Sequence, residues 1–372
     1  MSTHTPWRAL GLLCTVQFVL VLDASIVAVS LPQLRADLAL PDHLLQYTLS
    51  LYAVGFGGLL VFGGRAADLY GRRRFLQLGI ALFGLASMGC GLAANATALL
   101  AGRTMQGVGA ALASPAALAL VVDLFGEEDR RATVLGAWGA VSAAGGAAGL
   151  VLGGVLTDTV GWRWVFYLNV PVCLAAAGLT AIWLPERRSS GVALDAISAA
   201  LVTLGLGAWT FGLTEVESRE LASPSSGGAM LVGTALLITF VRRQRVVDNP
   251  LVPLDLFAPT LPRVANLGAA IIAALIAAQN FFGSLTLQRV LGRSAVETGF
   301  AILPVTILAT LGSALAGMVV RRLGVRGALV TGLVVMGGGL GLLVGVDSAW
   351  SALDLAPGFG ISASVSAWVS SP

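Results

Sequence analysis

No lysine occurs anywhere in the chain; all 22 basic side chains are arginine. Charge of either sign is scarce, at 11% of 372 residues, where a soluble protein carries about 25%. That excludes an ordinary water-facing globule. Histidine is nearly absent. His4 and His43 stand alone, and no spacing of His, Cys, Asp or Glu suits a metal. The three cysteines, Cys14, Cys90 and Cys173, all fall in apolar runs, so no disulfide framework is implied. They read as small buried hydrophobes. No phosphate-cradling glycine loop and no catalytic triad occurs. ATP-driven and enzymatic classes are set aside, and no cofactor is expected. A membrane enzyme would need clustered His, Asp or Glu inside apolar runs, and only Asp23 lies in one. A net charge of +3 and a pI near 9.0 would suit nucleic acid. The arginines, however, punctuate apolar runs instead of collecting on a face, so nucleic acid is not expected as a partner.

What is present is hydrophobic length. Apolar residues make up 56% of the chain, and the mean hydropathy is +0.87. A helical span needs about 20 apolar residues. Charge-free runs of that order cover 44–64, 75–102, 104–122, 132–157, 164–185, 196–214, 221–241, 264–288, 298–320 and 327–346. The second of these contains one helix, a turn at Asn95-Ala96-Thr97 and the start of the next. A further span over 9–31 is interrupted only by Asp23, and is too long for a removable signal peptide. The expectation is an all-α membrane protein with about eleven spans. With the N-terminus inside, sixteen arginines fall in cytoplasmic segments and five in external ones, with Arg103 inside a span. That excess sets the orientation.

Five stretches carry the chemistry. Residues 63–74 hold four arginines and one acid between two spans. Gly64 and Gly71 permit a tight turn and close approach, and Asp68 stands four residues before Arg72, a pairing distance on one helix face. In the first span, Asp23 costs about 2.5–3.5 kcal/mol on insertion scales, so it must face a cavity or a partner. It reads either as a protonatable site or as a structural cap on a helix broken near Pro32. Arg103 opens the fourth helix, followed by Gln106 and small residues; it either acts on a nearby proton site or snorkels to the outer surface. Gly145, Gly149 and Gly153, with Gly146 and Gly154 beside them, make a flat stripe on the fifth helix that lets another helix come close. After it comes W-R-W-V-F-Y-L-N-V-P over 162–171, whose aromatics are expected to anchor at the outer membrane interface.

These motifs resemble those of the major facilitator superfamily, and in particular its drug:proton antiporter-2 branch of 14-span multidrug exporters. Gly64, Asp68, Gly71, Arg72, Arg73 and Arg74 match the helix 2–3 signature G-x-x-x-D-x-x-G-R-[RK]-[RK]; Leu69 stands where the family often has a base. The L-D-x-[ST]-I-V…L-P pattern around Asp23 is similar to that branch's first helix. R-x-x-Q-G-x-G-A-A from Arg103 is similar to the helix 4 motif. The glycine stripe is similar to the antiporter motif G-x-x-x-G-P-x-x-G-G, but with Leu150 in place of proline, so packing survives without the kink. The 162–171 run is highly specific for the 14-span branch. These motifs fall in the expected order over 22–171.

The resemblance implies a six-helix N-terminal bundle over 1–188, a two-helix insertion over 189–245, and a partial C-terminal bundle of three helices over 246–346, entered through a proline-rich linker. An irregular Ser-rich tail follows over 347–372. Gln279 and Asn280 would face a cavity or bond a neighbouring helix, and Arg321, Arg322 and Arg326 would form a degraded repeat of the first arginine cluster. The branch would continue with three more helices, so a truncated second bundle is expected. The implied function is proton-coupled export of a small, lipophilic or cationic molecule by alternating access in the cell membrane, with protons and lipid as the other partners. Asp23, Arg103 and Gln106 would serve coupling or substrate, with Asp23 leading because a carboxyl buried in apolar surroundings holds its proton to higher pH. Asp68 and Arg72 would latch the cytoplasmic side. The alternative is a non-transporting fragment of such an exporter.

Overall fold

The computed structural model describes residues 5–125, 128–184, 195–219, 224–248 and 250–252, with isolated positions beyond. The expected spans over 264–288, 298–320 and 327–346 lie, isolated positions aside, outside the described residues. So do Gln279, Asn280 and the tail.

Among the described residues the order is α1 (Thr5–Leu38), α2 (Asp42–Tyr70), α3 (Arg72–Gly91), α4 (Ala96–Leu124), α5 (Glu128–Thr159), α6 (Arg163–Tyr167), α7 (Asn169–Trp183), α8 (Ala196–Arg219) and α9 (Pro224–Gln244). Short α6 and α7 form one span, so eight stretches are long and apolar enough to cross a membrane. They coincide with the first eight expected spans, most of them longer at one or both ends. Helix termini in a bundle outrun the hydrocarbon, because backbone groups stay satisfied there whatever the side chains.

Local chemistry explains the breaks. The arginine-rich stretch is not an open loop: Gly64 to Tyr70 finish α2, Arg72 opens α3, and Gly71 alone turns the chain at φ 116°. Only glycine adopts that geometry without cost. Asn95 caps α4, its side chain accepting from the Ala98 N–H at 2.9 Å, the usual service of an N-cap asparagine. Gly161, at φ 94°, closes α5 with its N–H on the Leu156 carbonyl at 2.9 Å. The α6–α7 interruption falls where Pro171 supplies no N–H to the turn before it. Pro32, by contrast, sits inside an unbroken α1. The reading of Asp23 as a cap on a broken helix is therefore corrected: Asp23 is mid-helix.

α4 packs against α2 and α3, α1 against α5 and α7, and the α8–α9 hairpin leans on α2 through α8. The glycine stripe decides how α5 meets α1. A Cβ at Gly145, Gly149 or Gly153 would come within 2.7, 2.6 or 2.8 Å of the carbonyls of Phe18, Leu22 or Ile26, so no larger residue permits this approach. Gly154 is also buried. Two apolar clusters form the core. One takes residues 9–20 of α1 and 110–121 of α4, towards the α2–α3 turn. The other takes 22–34 of α1, Leu40 just after it and the α5–α6 turn, towards the α1–α2 turn. Asp23, Ser87, Arg103, Gln106 and Asn169 lie at the level where the two meet.

Candidate functional site: a buried ion pair between two apolar layers

α1, α3, α4 and α7 each contribute one or two polar side chains at this level, all completely buried. Arg103 Nη1 lies 2.6 Å from Asp23 Oδ2. The same nitrogen donates to Gln106 Oε1 at 2.8 Å, and Nε donates to the Thr48 carbonyl at 2.9 Å. The guanidinium centre stands 4.5 Å from the centroid of the Tyr52 ring and 6.0 Å from that of Phe166. Asp23 Oδ1 accepts from Gln106 Nε2 at 3.0 Å and from Asn169 Nδ2 at 2.7 Å. Gln106 Nε2 also donates to Ser87 Oγ at 2.7 Å, and the Cys90 thiol donates to Gln106 Oε1 at 3.5 Å. Every contact to Asp23 is therefore a donor, which suits a carboxylate facing a cation in a region of low dielectric.

Asp23 and the Arg103–Gln106 motif, singled out separately in the sequence, form one cluster. The snorkelling alternative for Arg103 is corrected: its side chain is 0% exposed. An unpaired charge here would be prohibitive, and the pair is what lets both residues stay. Thr48, Tyr52, Ser87 and Asn169 were missed. Asn169 lay inside the 162–171 string, but nothing in that string assigned it to Asp23. Towards the α2–α3 turn, Gln17 of α1 continues the polar path, donating to Ser142 of α5 and accepting from Ser114 of α4, both at 3.1 Å.

A second cluster sits at the α2–α3 turn. Arg72 Nε donates to Asp68 Oδ1 at 2.8 Å, across the Gly71 turn and not along one helix face as the spacing suggested, and Nη1 lies 2.6 Å from Asp123 Oδ2 at the end of α4. Arg73 Nη1 donates to the Leu184 carbonyl at 3.0 Å, a cation on the last turn of α7 where the helix dipole favours it. Gly64 faces Pro115, whose Cβ would lie 3.4 Å from an added Cβ. Gly64, Asp68, Gly71, Arg72 and Arg73 thus occupy one junction of α2, α3, α4 and α7. Asp123 was missed because it reads only as the end of an apolar run.

The aromatic run differs from expectation. Trp162 is 2% exposed and Phe166 is buried; Trp164, at 52%, stands outside. Trp162 Nε1 donates to Asp37 at 3.0 Å, Arg163 pairs with the same carboxylate, and the Trp162 N–H donates to Gln33 Oε1 at 2.8 Å. The run fastens α1 to the α5–α6 turn more than it anchors the chain in lipid. At the base of the hairpin, Arg243 of α9 holds Asp195 through contacts of 3.0 and 3.1 Å, and Ser198 donates to Asp195 from both its hydroxyl and its N–H. Burial raises the Asp195 carboxyl; Arg243 and Ser198 outweigh it and hold the group below its ordinary value.

The sequence profile of the Major Facilitator Superfamily matches residues 13–372. A cephamycin export protein of Amycolatopsis lactamdurans is 36% identical over 97% of this chain and 76% of its own length. A puromycin resistance protein of Streptomyces alboniger is 37% identical over 92% of the chain and 68% of its own length, and a lincomycin resistance protein of Streptomyces lincolnensis is 32% identical over 90% and 69%. With its helical spans and this match along nearly its whole length, the chain belongs to the Major Facilitator Superfamily and is a multi-pass membrane transporter.

Proposed function

We propose that the chain exports a small, lipophilic or cationic drug-like molecule across the cell membrane in exchange for protons, with its N-terminus in the cytoplasm. The relatives named for export of, or resistance to, antibiotics support the substrate class. The single observation that carries the coupling is the Asp23–Arg103 pair, fully buried and joining α1 to α4 at 2.6 Å. A proton on Asp23 cancels the attraction between these helices. Arg103 then stays held by the Thr48 carbonyl, Gln106 Oε1 and the Tyr52 ring. The tie between α1 and α4 therefore weakens and leaves Arg103 a buried cation without its counter-charge, an unfavourable state that links proton uptake to helix movement. Asp23→Asn keeps the size and removes the titration. In proteoliposomes with an imposed pH gradient, it abolishes ethidium efflux while insertion stays intact. Wild-type efflux from that variant would defeat the coupling role.

Arg72, shared by Asp68 and Asp123, serves as the latch of the cytoplasmic end. Each exposed pair contributes no more than about 1 kcal/mol, so losing one leaves the other in place. The double variant Asp68→Asn, Asp123→Asn raises cytoplasmic thiol labelling of a cysteine placed at Ser114 several-fold. Equal labelling with equal expression would reduce the cluster to a surface contact.

A further inference from the structure

We infer that Asn169 is the positioning residue that accepts the hydrogen of Asp23 once Asp23 is protonated, by turning its side-chain amide over. The inference rests on the proposed reading of Asp23 as the proton site. It begins from a count of donors and acceptors.

As the cluster stands, Asp23 only accepts. Oδ2 faces Arg103 Nη1, and Oδ1 faces Gln106 Nε2 and Asn169 Nδ2. A protonated carboxyl must also donate, and none of these three nitrogens can accept. Arginine has no acceptor at all, so the proton belongs on Oδ1, between the two amides. One amide must present its oxygen there instead. Gln106 is held in its present sense: its Oε1 takes Arg103 Nη1 at 2.8 Å and the Cys90 thiol at 3.5 Å, and its Nε2 holds Ser87 at 2.7 Å. Reversing it would aim an NH2 group at a guanidinium.

Asn169 is not held in this way. Its Oδ1 is buried and accepts no hydrogen bond, and its second contact, Nδ2 to Ser87 Oγ, is long at 3.5 Å. Rotation about Cβ–Cγ exchanges Oδ1 with Nδ2. Two bonds are lost, Nδ2–H to Asp23 Oδ1 and the long one to Ser87 Oγ, and one is formed, Asp23 Oδ1–H to Asn169 Oδ1. The added proton comes from the medium and no covalent bond breaks. The surroundings allow this. The titratable or charged groups facing Asp23 are Arg103 from α4, Tyr52 from α2, Cys90 from α3 and Cys173 from α7. Apart from Arg103, none carries charge at neutral pH in an apolar setting. α5 presents its glycine stripe to this stretch of α1. Among the side chains bonded to Asp23, Asn169 is thus the one that can serve both protonation states.

Infrared difference spectroscopy on the purified 372-residue protein in lipid nanodiscs, titrated with acid, tests this. The C=O band of protonated Asp23 is identified by its loss in Asp23→Asn. In the wild type it lies at the lower frequency of an acid that donates a hydrogen bond. In Asn169→Val, which offers no acceptor, it moves up to the frequency of a non-donating acid. In Asn169→Thr, of similar shape but with an accepting hydroxyl, it returns. Coincident bands in all three proteins would overturn the role of Asn169. A wild-type measurement covers the case in which Asn169→Val does not fold. With 13C at the asparagine side-chain carbonyl, the Asn169 band, assigned by its absence in Asn169→Thr, shifts with the same midpoint as the Asp23 band. A fixed Asn169 band would equally overturn the inference. If no Asp23 acid band forms in the folded wild type, the proton-site reading itself fails, which is a different result from an Asp23 band indifferent to Asn169.

Discussion

Arg103 does three things that only a guanidinium can do together. Its Nε reaches the Thr48 carbonyl, its Nη1 reaches Asp23 and Gln106, and its flat face lies over Tyr52. A lysine ammonium is a compact point charge with neither the fork nor the plane. Arg103→Lys therefore keeps the charge but loses the geometry. Arg103→Leu leaves Asp23 buried without its cation, a change that costs about 3–5 kcal/mol in comparable buried pairs. Combining Arg103→Leu with Asp23→Leu removes both charges and recovers most of that loss. Thermal unfolding followed by thiol-reactive dye, reading exposure of Cys14, Cys90 and Cys173, ranks the variants: Arg103→Leu lowest, the double variant close to wild type. A double variant no more stable than the single one would mean that the pair is not the main contact of Arg103. At this scale, Asp23 and Arg103 stood out in the sequence because a charge inside an apolar run is costly. Ser87, Thr48 and Asn169 did not, since a small polar residue in a span gives no such signal. Which of them meet depends on helix rotation, and packing sets that.

Between elements, the clasp joining α8 to α9 has a pH dependence whose sign follows from Asp195. The Asp195 carboxyl is held below its ordinary value of 3.8 by Arg243 and Ser198, against the opposing effect of burial. A lowered carboxylate contributes stability that is fully present above the ordinary value and lost as pH falls through the lowered one. The stability difference between wild type and Asp195→Asn is therefore constant from neutral pH down to about pH 5, and shrinks as the pH drops below 3.8. Urea titrations of the two proteins in detergent at a series of pH values measure it; a difference that grows on acidification would contradict the clasp. The element scale is also where the sequence was most informative. Eight apolar runs became eight spans, because hydrocarbon leaves a backbone no choice but helix. The glycine stripe of α5 was legible as a close-packing face. Its partner was not, since only the folded bundle shows the carbonyls of Phe18, Leu22 and Ile26 against it. Trp162 misled for a related reason: an aromatic at a span end suits the interface by composition, while Asp37 and Gln33, 125 and 129 residues away, draw it inside.

For the molecule as a whole, the two ends of the bundle differ in charge, and the structure sharpens the difference. Arg8, Arg65, Arg72, Arg73, Arg74, Arg242, Arg243 and Arg245 collect towards the end that holds the α2–α3 turn. At the opposite end Arg35 and Arg163 are the arginines near the α1–α2 and α5–α6 turns, and Arg163 is paired with Asp37. Loops rich in arginine tend to stay in the cytoplasm, so the proposed orientation puts the α2–α3 turn in the cytoplasm and the α3–α4 turn outside. Eight spans, an even number, return the chain after α9 to the side on which α1 begins. A fluorescent protein that matures only in the cytoplasm, fused after Arg245, is therefore bright, and alkaline phosphatase fused at the same position is inactive. Fused after Ala93, in the α3–α4 turn, the two reporters exchange their behaviour. Removing charge tests the cause as well as the topology. With Arg72, Arg73 and Arg74 all changed to Gln, the arginines around the α2–α3 turn fall to one, and a fraction of the Ala93 fusions changes side. If the Ala93 phosphatase is inactive in the unmodified chain, the arginine asymmetry does not set the orientation, and the placing of Arg72 and its two carboxylates on the cytoplasmic side falls with it.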